Sequence, residues 1–300
     1  MGMQEIGRVP AAVFDPEATF GCGQCFRWEK REGAWRGVAF GRARSVRARG
    51  GEILFEREGA APGEFEAVWA PYFDLGRDYD SVRNALSGDA ALRRAVAFAP
   101  GLRILRQEPW EALCSFLFSQ NNNIPRIRGI VERLCREFGE PLPGGEYAFP
   151  TPGRLAALSP EALAPLRSGY RAGYVLDAAQ KVASGALNLD ALRTLPLDEA
   201  RARLMLVRGV GPKVADCALL FGCGRLDAFP VDVWVRRVLA RWYPRGFPEE
   251  LRPLGGIAQQ FLFHYARCAG LDFGCEPDGG CEQDGGCEPE AGAKRGKQTA

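Results

Sequence analysis

Apolar positions along this chain change their period once. Between about residues 20 and 60 they fall in short alternating or aromatic runs, Cys25 to Trp28, Ala34 to Phe40, Ser45 to Ala48 and Glu52 to Glu56, separated by glycine-bearing turns. That pattern predicts β-strands. After Pro62-Gly63 the spacing becomes helical, with Phe65, Val68 and Trp69 at i, i+3, i+4. From about residue 100 onward nearly every segment reads as helix. Trp110, Leu113, Phe116 and Leu117 form one stripe, which an asparagine run ends. Pro125 suits a helix start, and Ile127, Ile130, Val131 and Leu134 continue behind it. Ser159-Pro160 opens another helix, and Val175, Ala179 and Val182 mark the next. Val214, Cys217, Ala218 and Phe221 follow, then Asp232, placed to cap a helix carrying Val235, Val238 and Leu239. Ile257, Phe261 and Tyr265 carry the last one.

The expected fold class is therefore α+β. A small antiparallel β domain with flanking helices occupies residues 1–100, and an all-helical domain occupies residues 101–271. The remainder, 272–300, differs. Cys275, Cys281 and Cys287 each head a Gly- and acid-rich hexapeptide with too little apolar content to fold, so disorder is expected there.

Composition narrows the class. At 46% hydrophobic, 300 residues can bury a substantial core, and no apolar run approaches the ~20 residues of a membrane span. Met1-Gly2-Met3-Gln4-Glu5 lacks the basic-then-apolar order of a secretory signal. The ten cysteines are scattered along the chain, several in helical segments such as Leu113-Cys114 and Asp216-Cys217-Ala218, which reads as reduced thiols in a cytoplasmic protein. The net charge of +2 hides an asymmetry: residues 272–300 hold seven acids and three bases, leaving +6 in residues 1–271. That is a modest nucleic-acid-binding balance.

Candidate chemistry centres on Leu206-Val207-Arg208-Gly209-Val210-Gly211-Pro212-Lys213. Gly209 and Gly211 permit a sharp turn and close approach, because neither carries a Cβ. The N–H groups of such a turn and the helix start behind it suit a phosphate oxygen. Lys213 follows directly, and Asp232 lies nineteen residues beyond it. An amine at a helix start and partly buried is disfavoured in its charged form, which makes it a nucleophile. Phosphate grip, amine and carboxylate together point to chemistry on a nucleic-acid sugar.

The segment resembles the hairpin of helix-hairpin-helix DNA glycosylases, and the rest of the chain resembles the 8-oxoguanine DNA glycosylases among them (the HhH-GPD superfamily). The matching pieces are Gly23-Gln24-Cys25-Phe26-Arg27-Trp28, Leu105-Arg106-Gln107-Glu108-Pro109, Ser119-Gln120-Asn121-Asn122-Asn123-Ile124-Pro125-Arg126-Ile127, Gly169-Tyr170-Arg171-Ala172 and Val214-Ala215-Asp216-Cys217. They stand in family order over roughly residues 20–270. The resemblance implies a bifunctional glycosylase and abasic-site lyase that excises 8-oxoguanine from double-stranded DNA. Lys213 would attack C1′, and Asp232 would stabilise the oxocarbenium character of the sugar. Cys217 and Phe263 would sandwich the flipped purine, Gln259 would address its Watson–Crick edge, and the Gly23 carbonyl would accept from the N7–H that guanine lacks. Asn121, Tyr170, Arg126 and Arg171 would fill the vacated space, wedge the stack and contact the orphaned cytosine. No cofactor or metal is expected.

One position departs from the family pattern: where eukaryotic members carry histidine, two residues after the carboxylate, this chain has Trp234, and its single histidine is His264. With Cys268 the tail reads C-x6-C-x5-C-x5-C, unlike the C-x6-C-x2-C-x5-C of the related endonuclease III iron–sulfur loop. The expected setting is a monomeric enzyme of the bacterial cytoplasm, associated with the nucleoid through DNA. Two rivals stay open: a glycosylase for another lesion such as an alkylated purine, and a non-catalytic module that uses the hairpin as a phosphate clamp. Gly23-Gln24 and the triple asparagine speak against the first, Lys213 with Asp232 against the second.

Overall fold

The computed structural model describes residues 3–57 and 62–271, so the cysteine repeats lie outside the described residues. The period-two segment forms a five-stranded antiparallel sheet in the order β1-β5-β4-β3-β2. Its strands are β1 (Gln4–Pro10), β2 (Trp28–Arg31), β3 (Ala34–Ala39), β4 (Arg42–Arg49) and β5 (Glu52–Arg57). The register sets Trp35 opposite Val46 and Val46 opposite Phe55, a bulky apolar ladder on one face. Phe14, Phe20, Trp28, Trp69, Tyr72 and Phe73 pack over that ladder. Phe20 and Trp28 stack with centroids 4.3 Å apart, and the Trp28 Nε1–H donates to the Tyr72 hydroxyl at 2.8 Å.

One strand escapes the sequence pattern, and one expected segment is not strand. β1 is an edge strand that pairs only with β5 and is bulged between Glu5 and Gly7, so it lacks the apolar alternation of a buried strand. Cys25 to Arg27 is not strand; pairing begins at Trp28, opposite Gly37. The cause is Gln24, whose buried side chain donates to the Thr19 and Arg103 carbonyls and accepts from Leu105 N–H. Those bonds pull the chain toward the helical body before the sheet can claim it.

The helices follow in sequence. α1 (Pro16–Gly21) leads into the sheet, and α2 (Ala70–Tyr72) continues a π-helical turn at Phe65–Trp69. Two helices absent from the sequence reading, α3 (Tyr79–Leu86) and α4 (Ala90–Phe98), are N-capped by Asp78 and Asp89. α5 (Pro109–Ser119) is buried from Glu111 to Phe118 and forms the centre of the body. The asparagine run ends it, and Asn123 caps α6 (Ile124–Phe138) by accepting from Arg126 N–H. α7 (Pro152–Ala156) comes next, after which Ser159-Pro160 leads into a short 3₁₀ segment, Glu161–Leu166, rather than an α-helix. Pro165 lies inside it and removes an α-helical donor. α8 (Arg171–Ala183), α9 (Leu197–Met205), α10 (Pro212–Cys217), α11 (Val233–Trp242) and α12 (Gly255–Cys268) complete the body. Their apolar faces form one large core, which also takes in Ala18, Cys22 and Phe26. The N-terminal segment is thereby seated against the helices that carry the site. No helix among the described residues is long and apolar enough to cross a membrane.

Candidate active site

α9 and α10 are joined by the hairpin turn. Val207 and Val210 are buried in the core, while Met205 and Leu206 are exposed. Anchored valines on either side force the reversal to occur at Gly209, whose φ of +82° places it in the left-handed region. A Cβ there would lie 2.2 Å from Tyr174 Cδ2, so the ring on α8 packs directly onto the glycine. Asp177, one turn further along α8, accepts from the Arg208 N–H at 2.7 Å. α8 thus holds the turn from outside. Gly211 N-caps α10, and a Cβ there would meet open space.

Lys213 stands in the first turn of α10, half-buried, with its Nζ 3.3 Å from Ser119 Oγ and 5.4 Å from the centre of the Phe116 ring. Cys217 lies one turn later. Burial pushes its thiol up to about 11, against the opposing pull of the nearby Lys213 amine. Asp232 caps α11, its Oδ1 accepting from Val235 N–H at 2.8 Å. Burial raises this carboxyl above the ordinary aspartate range, opposed by the Val235 N–H and the nearby Lys213 charge. Lys213, Cys217 and Asp232 are therefore mutually in electrostatic reach.

Gly23 enters from the N-terminal side with φ +75°, and a Cβ built on it would sit 3.4 Å from Ile124 Cδ1 and 3.7 Å from Phe263 Cε1. The peptides around it are pinned: Gln260 Nε2 donates to the Cys22 carbonyl at 2.8 Å, and Gln107 Nε2 to the Gln24 carbonyl at 2.6 Å. Phe263 is half-buried, with the Arg267 guanidinium 5.9 Å from its ring centre. Gln259, 4% exposed, has an Oε1 without a hydrogen-bond partner. A buried amide oxygen left so costs about 1–3 kcal/mol, which a donor from a bound base recovers.

A second cluster lies where α5 gives way to α6. Asn121 is exposed and left-handed at φ +46°, and Asn122 Nδ2 donates to the Phe118 carbonyl. Arg126 is exposed in the first turn of α6. Arg171, by contrast, is buried: it donates to the carbonyls of Gln120 at 2.8 Å, Asn121 at 2.8 Å and Ser168 at 3.3 Å. Tyr170, 56% exposed, lies over that guanidinium at 4.5 Å. Trp234 is half-buried with Arg237 5.3 Å from its ring, whereas His264 is buried on α12 with its ring tilted against Phe98, centroids 5.6 Å apart. Burial holds the imidazole below its usual range. Among the described residues no group of three or more His, Cys, Asp or Glu is placed to hold a metal ion.

Sequence reasoning missed Ser119, Phe116, Tyr174, Asp177 and Gln260 as parts of this arrangement. Only Ser119 carried a signal, as the first residue of the asparagine motif.

Residues 8–113 match the 8-oxoguanine DNA glycosylase N-terminal domain, and residues 114–249 match the HhH-GPD superfamily base excision DNA repair protein. An N-glycosylase/DNA lyase of Arabidopsis thaliana is 33% identical over 269 residues, covering 84% of this chain and 73% of that protein. The chain belongs to the 8-oxoguanine DNA glycosylase family. A second relative, the N-glycosylase/DNA lyase of Saccharomyces cerevisiae, is 40% identical over 158 residues. That match spans 48% of this chain and 42% of the yeast protein. The solved 8-oxoguanine glycosylase/lyase of Clostridium acetobutylicum superposes with a TM-score of 0.79 at 36% identity, covering 89% of this chain and 98% of that one. It was solved with double-stranded DNA containing cytosine opposite 8-oxoguanine.

Proposed function

We propose that this chain excises 8-oxoguanine from duplex DNA and then cuts the strand at the abasic site, with Lys213 as nucleophile. One observation carries the reading: a half-buried lysine amine is held at the mouth of the hairpin within electrostatic reach of Asp232 and beside Cys217. The neutral Lys213 nitrogen bonds to C1′ as the C1′–N9 bond breaks, and its electron pair leaves with the base, which takes up a proton. The ionised Asp232 carboxylate stabilises the sugar while it carries positive charge. Loss of a proton from nitrogen and opening of the sugar ring give an imine. That imine acidifies the C2′ proton, and its removal expels the 3′ phosphate.

The flipped base rests between Cys217 and Phe263. Its N1–H or exocyclic amine meets the orphaned Gln259 Oε1, and the Gly23 carbonyl accepts from N7–H. Guanine presents a lone pair to that carbonyl instead, a mismatch of about 1–3 kcal/mol, or roughly 10- to 100-fold. Asn121 fills the gap, Tyr170 wedges the stack, and Arg126 donates to the cytosine. Arg171 contributes by holding the turn that carries Asn121, through its bonds to Gln120 and Asn121. Gly209 and Gly211 let the hairpin approach the phosphates.

Gly23 belongs to an N-terminal part, residues 1–100, and the remaining site residues to a catalytic part, residues 101–271. The enzyme works as a monomer in the cytoplasm of a bacterium, on the nucleoid, and uses no cofactor. Mixing the protein with 8-oxoguanine duplex and sodium borohydride should trap a covalent adduct, and Lys213→Gln should abolish it while DNA still binds. An undiminished adduct in the variant overturns the assignment.

A further inference from the structure

We propose that Ser119 is a positioning residue for the amine: it accepts from Lys213 and cannot donate to it, which leaves the lysine lone pair free for C1′. The inference rests on Lys213 being the nucleophile. A serine hydroxyl has one proton and two lone pairs, and a neutral amine has two protons and one lone pair. Where the two meet, the hydroxyl can serve in either direction, and one of them is ruinous. If Ser119 donated to Nζ, it would occupy the only electron pair with which the amine can attack.

The fold removes that choice. Ser119 is the last residue of α5, and its Oγ–H donates to the Phe116 carbonyl one turn back at 2.8 Å. Helix-terminal serines make such bonds readily. With the proton spent, Oγ presents only lone pairs, and Lys213 Nζ sits 3.3 Å from it as the donor. The Phe116 ring lies 5.4 Å from the same nitrogen, so residue 116 both takes the serine proton through its carbonyl and flanks the amine with its ring. An N–H is thereby fixed toward Ser119, and the lone pair is turned away from it. The arrangement joins residues 94 positions apart, which is why the motif alone does not reveal it.

Three measurements test this on the full chain: borohydride trapping with an abasic-site duplex, single-turnover excision at saturating enzyme, and affinity for the 8-oxoguanine duplex. Ser119→Ala should slow trapping and excision about three- to tenfold, the worth of one hydrogen bond, with unchanged duplex affinity. Ser119→Thr keeps both the hydroxyl and its habit of bonding one turn back, so it should recover to within about twofold of the wild type. Should Ser119→Ala prove unstable, Ser119→Cys carries the same expectation, because sulfur is a weak acceptor of similar size. Trapping at the wild-type rate in Ser119→Ala, or equal impairment of the Ala and Thr variants, overturns the inference. Lys213→Gln separates the two readings. If its adduct persists, the nucleophile is wrong. If its adduct vanishes while Ser119→Ala behaves as wild type, only the role of Ser119 falls.

Discussion

Replacing Gly209 with alanine asks two things of the hairpin at once. The backbone must hold φ near +82° with a Cβ present, which costs a non-glycine residue about 1–2 kcal/mol. The new methyl must also share space with Tyr174, whose Cδ2, Cε2 and Cγ would lie 2.2, 2.5 and 2.5 Å away. That is more than an ångström inside ordinary contact, and the ring is not free to leave. It packs edge-on against Tyr170 at 5.4 Å, and the Arg208 guanidinium sits 5.8 Å from its centre. Overpacking of this kind costs about 1–3 kcal/mol, for a total of about 2–5 kcal/mol. The turn lies between exposed Leu206 and the open side of Gly211, so it should deform locally rather than unfold the body. The loss should then appear as weakened DNA binding of at least about tenfold, at roughly 1.4 kcal/mol per factor of ten. Fluorescence anisotropy with a duplex carrying an uncleavable abasic-site analogue measures it, with urea unfolding as the control for global stability. The double variant Gly209→Ala/Tyr174→Ala removes the clash but not the backbone strain. It should recover part of the affinity and retain a deficit of about 1–2 kcal/mol. Wild-type affinity in Gly209→Ala, or a double variant no better than the single one, would refute the account of how α8 shapes the turn.

Gln259→Leu should weaken binding of 8-oxoguanine duplex about tenfold while leaving the melting temperature unchanged or higher, because the unpaired Oε1 disappears from the free protein; a lower melting temperature with intact lesion affinity contradicts this. Asp232→Asn keeps a good helix cap but loses the charge, so base release should slow strongly with lesion binding retained. The Asp232 carboxyl is raised by burial, so the working carboxylate is lost to protonation at a higher pH than an ordinary aspartate. The single-turnover rate should therefore fall with acidification above the usual carboxylate range, and that limb should vanish from the Asn variant. Excision opposite cytosine should exceed that opposite adenine by at least about tenfold, and Arg126→Ala should shrink the gap more than it slows the cytosine reaction. Equal wild-type rates opposite the two bases would show that Arg126 does not read the partner.

Much of this protein was legible in the order of its residues, because much of it depends on neighbours close in the chain. The change from a two-residue to a helical period marks the passage from sheet to helical body, since each period follows from backbone geometry alone. Asp232 announces a cap because a short carboxylate reaches the N–H three residues on. Gly209 announces the hairpin because few other residues tolerate its backbone. The same locality explains the misread Cys25–Arg27 segment, whose path is set by bonds from Gln24 to residues 79 and 81 positions away. Tertiary structure alone decided the rest. In sequence Arg171 looks like any arginine that faces DNA, yet packing buries it against Gln120, Asn121 and Ser168. Gln259 and Gln260 are identical neighbours, but one finds the Cys22 carbonyl and the other leaves its oxygen unpaired. Ser119 meets Lys213 only because α5 and α10 pack together. A side chain's type is written in the sequence, while its hydrogen-bond partner is chosen by whichever segment the core brings within three ångströms or so.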